Sequence, residues 1–194
     1  MTPILRKQVP PLFKNYREYK PFLRLDFERR CAYCYIPESR YGTPGNYTID
    51  HFRPKSRPEF RKLICHYSNL YYVCRDCNLY KGAAWPSSVL RAQEFRFLDP
   101  CTDDFSLHWI VRPDGILTPK TPAGAYMIAR LRLNREYLRE WRRHKTVMVA
   151  SVDRLAGRLS AVRSMNEVRT EGQTLLDALE RDVASEFGEF WPIV

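Results

Sequence analysis

Residues 31–34 of the chain are Cys-Ala-Tyr-Cys, residues 47–52 are Tyr-Thr-Ile-Asp-His-Phe, and residues 74–78 are Cys-Arg-Asp-Cys-Asn. In each cysteine pair, two residues separate the sulfurs, so one tight turn can present both thiolates to the same ion. Two such pairs predict a tetrahedral zinc site, and the predicted ligands are Cys31, Cys34, Cys74 and Cys77. Four thiolates leave no open coordination position, so the predicted Zn²⁺ is structural.

The segment between the two pairs is longer than zinc binding requires. Residues 35–73 separate the pairs, whereas a simple zinc ribbon has roughly 15–20 residues there. We therefore expect the intervening segment to fold around chemistry of its own. Three arginines next to the pairs are predicted to offset the charge of the thiolates: Arg29, Arg30 and Arg75. Two further cysteines, Cys65 and Cys101, lack such spacing and are predicted to be unpaired.

The intervening segment contains a carboxylate beside an imidazole. Residues 47–52 have strand-forming side chains and include Asp50 and His51. A second strand is predicted at residues 68–73. A helix that begins near Cys77 would place Asn78 and Lys81 on one face, since they are three residues apart.

The order Asp-His at 50–51, Asn at 69 and Asn-x-x-Lys at 78–81, with one cysteine pair before it and the second just before Asn78, resembles the HNH endonucleases, or ββα-metal nucleases. The resemblance covers residues 31–82 and points to the subgroup that has two C-x-x-C zinc knuckles. A weaker similarity links residues 97–100, 114–115 and 133–135 to HNH proteins of retron- and Septu-type bacterial defence systems.

The resemblance implies a role for each residue of the motif. Asp50 and Asn78 are implied as ligands of a catalytic divalent cation, His51 as the general base that deprotonates water, and Asn69 as a brace for the loop that holds His51. The products implied are 5′-phosphate and 3′-hydroxyl ends. The residue types suit this chemistry independently, because an imidazole with a pKa near ~6.5 can accept a proton at neutral pH. Carboxylate and amide oxygens are hard ligands appropriate to Mg²⁺ or Mn²⁺.

The charge of the chain favours a polyanionic partner. The 194 residues carry a formal net charge of +10, and nucleic acid is the commonest such partner, although a merely basic soluble protein would have the same balance. Near the motif, the residues predicted to contact phosphates are Arg53, Lys55, Arg57 and Lys81. No apolar run approaches the length of a membrane span, and the N-terminus has no apolar segment typical of a secretory signal. A cytoplasmic protein with no membrane association is therefore expected.

The C-terminal part of the chain has a helical pattern. Thr121 and Pro122 predict the start of one helix, and Asn134 is predicted to cap a longer one. Along the longer helix an apolar stripe recurs at three- and four-residue steps if Lys145 is counted as one position, at Leu138, Trp141, Met148, Val152, Leu155, Leu159 and Val162. A break is expected near Gly172, before a last helix with Leu176, Leu179, Val183, Phe187 and Phe190. Between residues 130 and 163, ten basic residues accompany three acidic ones, an excess of seven. This basic face is predicted to bind phosphates through Arg139, Arg142 and Arg143, unless it is merely solvated.

These patterns predict an α+β fold: a zinc-framed ββα-metal (HNH) nuclease module with a mostly helical C-terminal region. Four segments are expected: a basic N-terminal segment at 1–30, the nuclease module at 31–90, a loop and hairpin connection at 91–122, and a helical region at 123–194. The predicted function is metal-dependent endonuclease cleavage, with DNA as the expected substrate. The alternative is a non-catalytic zinc-dependent nucleic-acid-binding or adaptor protein. Expected protein partners are a defence-system ATPase or a second copy of the chain in a homodimer.

Overall fold

The computed structural model describes residues 3–164 and 170–187. It divides the chain into two compact units, Met1–Arg139 and Glu140–Val194. The first unit combines the predicted segments 1–30, 31–90 and 91–122 with the start of the predicted helical region. The mixture of helices and small antiparallel sheets confirms the α+β class.

A ββα unit forms the centre of the first compact unit. Strand β1 (Tyr47–His51) pairs antiparallel with β2 (Leu70–Cys74), and helix α3 (Arg75–Lys81) follows β2 directly. Both strands and the helix were predicted, the helix with a later start. Gly82 ends α3 with a positive φ of +51°, which glycine adopts more easily than other residues, and its amide donates to the carbonyl of Asn78 at 2.9 Å.

Short helices and turns surround this unit. Before β1 lie α1 (Lys20–Asp26) and α2 (Glu38–Tyr41), and after α3 come α4 (Ser88–Ala92), β3 (Trp109–Val111), β4 (Leu117–Pro119) and α5 (Pro122–Arg130). The hairpin of β3 and β4 confirms the predicted hairpin, whereas α4, at the junction of the predicted nuclease module and the predicted connection, was not predicted. Thr121 caps α5 as expected, because its hydroxyl accepts from the amide of Gly124 at 3.1 Å.

Buried tyrosines fill the core around the ββα unit. The rings of Tyr47 and Tyr72 stack with their centroids 4.9 Å apart, and those of Tyr33 and Tyr71 stack at 6.2 Å. All four side chains are at most 1% exposed. All four rings therefore pack the core around the strands.

Two long helices end the described chain. Helix α6 (Glu136–Ser164) begins after Arg135, and the side chain of Asn134 exchanges hydrogen bonds with the backbone of Leu117 at 2.8 and 3.0 Å. The predicted cap is therefore misplaced, since the tie to β4 orients Asn134. The break predicted near Gly172 does not fall on this glycine, which lies inside α7 (Thr170–Phe187); α6 ends at Ser164, and residues 165–169 between the two helices lie outside the described residues.

The predicted apolar stripe is buried along only part of α6. Leu138, Trp141 and Val152 are buried, whereas Leu155 is 39% exposed. Phe190 and the side chains of Leu159, Val162, Val183 and Phe187 lie outside the described residues. Among the residues that the structure describes, no helix has the length and apolarity needed to cross a membrane.

Candidate active site

The four paired cysteines form one cluster. Their sulfurs all lie within 4.8 Å of one another, and the Sγ atoms of Cys34 and Cys74 are 3.7 Å apart. A tetrahedral ion with Zn–S bonds of about 2.3 Å requires sulfurs about 3.8 Å apart. The spacing and the chemistry of the donors therefore fit a structural zinc ion, as predicted.

Backbone hydrogen bonds form the first cysteine turn and hold it against β2. The amide of Tyr35 donates to the carbonyl of Cys31 at 2.9 Å, and the amide of Cys31 donates to the carbonyl of Ile36 at 3.0 Å. The amide of Ala32 donates to the carbonyl of Tyr72 at 2.8 Å. Because Cys74 ends β2 and Cys77 lies in the first turn of α3, the second pair meets the first where the strand becomes the helix.

An arginine distant in sequence lies against the cluster. The guanidinium of Arg135 donates to the sulfur of Cys77 at 3.6 Å and to the hydroxyl of Tyr137 at 2.8 Å. Burial by itself would lower the pKa of Arg135, but the Cys77 sulfur and Tyr137 raise it. Arg135 thus supplies a positive charge at the cluster, whereas the predicted Arg30 pairs with Glu28 instead.

His51 ends β1 with its imidazole fixed at one nitrogen. Its Nε2 lies 3.0 Å from the backbone carbonyl of Ile64. Because a carbonyl only accepts, Nε2 carries the proton in the neutral ring and Nδ1 keeps a free lone pair. Burial lowers the pKa of His51, and the nearby charges of Lys55 and Lys81 lower it further. The ring is therefore in its neutral, basic form at neutral pH.

Asp50 faces the opposite side of β1 and is buried in a polar cluster. Its carboxylate accepts a hydrogen bond from the Tyr33 hydroxyl at 2.6 Å and lies 2.9 Å from Nζ of Lys81. Burial raises the pKa of Asp50, although Lys81 and Tyr33 both act to lower it. Lys81 is 0% exposed and also donates to the backbone carbonyl of His51 at 2.7 Å. This burial removes Lys81 from the predicted phosphate contacts and makes it the counter-charge of Asp50.

Asn69 bridges the loop that follows His51. Its Oδ1 accepts from the amide of Arg53 at 2.8 Å, and its Nδ2 donates to the carbonyls of Arg53 and Leu63 at 3.2 and 3.3 Å. Its own backbone carbonyl accepts from the amide of Phe52 at 2.9 Å. Through these contacts Asn69 joins residues 52–53, which follow His51 in the chain, to residue 63, which precedes the Ile64 carbonyl bonded to the His51 ring.

Asn78 is half-buried on α3. It lies three residues before Lys81, so the two share the helix face that Lys81 turns towards β1. The amide oxygen of Asn78 and the carboxylate of Asp50 are the hard donors that Mg²⁺ or Mn²⁺ prefers. The donor chemistry fits such an ion, with Tyr33 and Lys81 occupying part of the acceptor capacity of Asp50.

The predicted phosphate-binding residues differ in exposure. Arg53 and Lys55 are exposed, whereas Arg57 is half-buried and donates to the carbonyl of Trp85 at 3.1 Å. On α6, Arg143 is exposed and Arg139 forms an ion pair with Glu136 at 3.0 Å. Arg142, which was also predicted to bind phosphates, is only 9% exposed and is therefore not part of a solvent-facing basic surface.

One residue that lies beside His51, Tyr16, was not predicted as part of the site. The ring of Tyr16 meets the imidazole edge-on, with the centroids 4.7 Å apart and the planes at 71°. Nζ of Lys55 donates to the Tyr16 hydroxyl at 3.0 Å. A tyrosine in a basic, aromatic N-terminal segment has no spacing pattern that identifies it.

The fold and the site together define a ββα module framed by four clustered cysteines, with an Asp-His pair at the end of its first strand. Residues 31–84 match the family model of the HNH endonucleases, and the chain carries an HNH domain over this segment. Such a domain indicates a nuclease-type function. No curated protein and no solved structure matches the chain. The narrower resemblance to retron- and Septu-associated proteins therefore has no support beyond the residues that suggested it.

Proposed function

We propose that this protein is an endonuclease that hydrolyses phosphodiester bonds in DNA, with His51 as the general base. The proposal rests mainly on the hydrogen bond between Nε2 of His51 and the carbonyl of Ile64. This bond commits the ring proton to Nε2, so that Nδ1 is left as the acceptor. The HNH domain supplies the setting in which such an acceptor takes a proton from water.

The residues around His51 prepare it for that step. Its lowered pKa keeps the ring unprotonated at neutral pH, as a base requires. Asn69 holds the loop after the strand, because its amide group bonds the backbone of both Arg53 and Leu63. A ring held in this way accepts the water proton without first reorganising the loop.

Asp50 and Asn78 are the residues that would hold a divalent ion. Bound there, Mg²⁺ or Mn²⁺ would act as a Lewis acid at the phosphate and the leaving oxygen. Tyr33 and Lys81 fix the orientation of the Asp50 carboxylate through their contacts at 2.6 and 2.9 Å. The chain itself thus positions an oxygen ligand on one side of β1 and a base at its end.

Positive charge supports a nucleic-acid substrate. The net charge is +10, and Arg53 and Lys55 are exposed just after His51. Basic side chains in this place would hold the phosphates that flank the scissile bond. The choice of DNA, the 5′-phosphate and 3′-hydroxyl products, a cytoplasmic location, a defence role, and an ATPase or homodimer partner rest on the sequence resemblance and the chain composition.

Cleavage assays with defined nucleic acids test the proposal. Supercoiled plasmid, linear duplex, single-stranded DNA and RNA are incubated with the zinc-loaded protein in Mg²⁺, in Mn²⁺ or in EDTA. We expect cleavage of DNA that requires the divalent ion and that His51→Ala abolishes while binding remains. His66→Ala is the matched control, since His66 is exposed and its ring bonds the Ser68 hydroxyl.

Two outcomes would contradict the proposal. Full cleavage by His51→Ala protein free of contaminating nuclease would exclude His51 as the base. A wild-type protein that binds DNA yet cleaves none of the four substrates would favour the alternative of a non-catalytic zinc-dependent binding or adaptor protein.

A further inference from the structure

An N-terminal turn contributes an aromatic side chain beside the base. Tyr16 begins a 3-10 turn (Tyr16–Tyr19) that precedes α1 and lies outside the segment matched by the HNH family. Its ring contacts the His51 imidazole edge-on at a centroid distance of 4.7 Å. His51 itself is only 6% exposed, so the side chains around it restrict its position.

One hydrogen bond alone does not fix an imidazole ring. The contact between Nε2 and the Ile64 carbonyl anchors one atom, but the ring can still tilt about the line of that bond. Such a tilt displaces Nδ1, the acceptor, because Nδ1 lies off the line of that bond, whereas the anchored Nε2 lies on it. A second aromatic ring in T-shaped contact with the imidazole, as Tyr16 is, restricts this tilt.

We propose that Tyr16 is a positioning residue that fixes the tilt of the His51 ring and thereby aims Nδ1 at the reacting water. This inference rests on the proposed function and adds to it that residues outside the HNH segment complete the active site. The contact is made by the Tyr16 ring, whereas its hydroxyl serves a different bond, with Lys55.

The turn that carries Tyr16 is itself held in place from several sides. The side chain of Asn15 caps it by accepting from the amide of Arg17 at 3.1 Å, and Tyr19 at its end is 1% exposed. Just before the turn, the carbonyl of Lys14 accepts a hydrogen bond from the sulfur of Cys65 at 3.0 Å. Since Cys65 directly follows Ile64, this bond connects the turn to the backbone that anchors His51.

The bond between Lys55 and Tyr16 ties the turn to the loop after β1. Nζ of Lys55 lies 3.0 Å from the Tyr16 hydroxyl, and the two residues are far apart in sequence. The turn is therefore bonded to both segments beside the His51 ring. One bond is made by Cys65, next to Ile64, and the other by Lys55, in the loop after β1. These bonds hold the Tyr16 ring where it contacts the His51 imidazole.

Two substitutions at position 16 separate the ring from the hydroxyl. Tyr16→Phe keeps the edge contact, and we expect kcat to stay within about threefold of wild type. Tyr16→Ala removes the ring, and we expect kcat to fall by roughly 10- to 100-fold with KM nearly unchanged, because a small misplacement of a reacting group has an effect of this order. Lys55→Met, which removes the tether and a charge near the substrate, should mainly raise KM.

A spectroscopic measurement tests the inference without relying on activity. In the zinc-loaded protein labelled with ¹⁵N, the His51 ring nitrogens should report one fixed neutral tautomer in wild type and in Tyr16→Phe. In Tyr16→Ala they should report exchange broadening or averaging. Zinc content and melting temperature are recorded for each variant, and Tyr16→Leu replaces Tyr16→Ala if the latter does not fold.

The outcomes distinguish this inference from the proposed function. Wild-type or higher kcat in folded Tyr16→Ala, with an unchanged His51 spectrum, would overturn the positioning role while leaving the nuclease assignment intact. If wild-type protein cleaves nothing, the proposed function fails, and the His51 spectrum alone decides whether Tyr16 fixes the ring. A loss of kcat in Tyr16→Phe equal to that in Tyr16→Ala would assign the effect to the hydroxyl and also overturn the inference.

Discussion

Nζ of Lys81, at the end of α3, lies 2.9 Å from the carboxylate of Asp50 on β1, and both side chains are shielded from water. The same ammonium donates to the carbonyl of His51 at 2.7 Å. One buried cation thus joins the helix to the strand at the two residues on which the proposed chemistry depends. In a buried pair of this kind, the loss of either partner leaves an uncompensated charge.

Lys81→Met is therefore expected to lower the free energy of unfolding by about 3–5 kcal/mol, the usual effect of removing one partner of a buried pair. Urea unfolding of the zinc-loaded protein measures the change. Lys62→Met is the matched control, since Lys62 is exposed, and it should change stability by less than about 0.5 kcal/mol. Equal effects of the two substitutions would show that the pair contributes nothing to the fold. Combining Lys81→Met with Asp50→Asn should recover part of the loss.

The cysteine cluster is expected to carry one zinc ion per chain. Cys77→Ser should remove most of the stability, because zinc binding contributes directly to folding. Metal analysis and thermal melts test this, with Cys65→Ser as the control because Cys65 lies outside the cluster. A wild-type protein that is fully folded without zinc would contradict the structural role of the site.

The acid limb of the pH–rate profile should have an apparent pKa below the usual pKa of histidine. Burial lowers the pKa of His51, so the ring stays neutral, and active as a base, as the pH falls through about 6.5. Activity is then lost only as the pH falls through the lowered pKa, where the ring gains its proton. Measurements of kcat/KM between about pH 5 and about pH 8 locate this limb. A limb above pH ~6.5 would indicate a different titrating group.

Binding through the basic face of α6 should depend on salt. Three exposed arginines of this helix are replaced by alanine together: Arg143, Arg154 and Arg158. Each lost phosphate contact is expected to reduce the slope of log K against log[salt] by about one, while kcat at saturating substrate stays nearly unchanged.

A control with the same change in net charge isolates the contribution of this face. It replaces three exposed basic residues of the first compact unit: Arg91, Arg112 and Lys120. If both triple variants bind alike, with wild-type salt slopes, the basic face of α6 is merely solvated. The phosphate contacts would then lie near Arg53 and Lys55.

Much of the structure of the HNH segment could be predicted because it depends on interactions between residues close together in the sequence. The spacing within each cysteine pair, the strand-forming residues around Asp50 and His51, and the turn into α3 depend on neighbours a few residues away. Thr121 likewise caps α5 through a bond that spans three residues. Where a tertiary contact competed with a local preference, prediction failed, as for Asn134, whose side chain bonds Leu117 instead of serving as the predicted cap.

The sequence by itself determined the class of metal site, the ββα order and the identity of the candidate base, since those depend on residue types at short, characteristic spacings. Only the tertiary structure decided which ordinary side chains complete the site. Lys81 is the counter-ion of Asp50, Arg135 donates to the sulfur of Cys77 in the cysteine cluster, and Tyr16 contacts His51. Each of these contacts joins residues 30 or more positions apart, at distances that only chain packing sets. Lysine, arginine and tyrosine are common in a basic chain, so their positions in the sequence do not indicate which of them will be buried against a functional group.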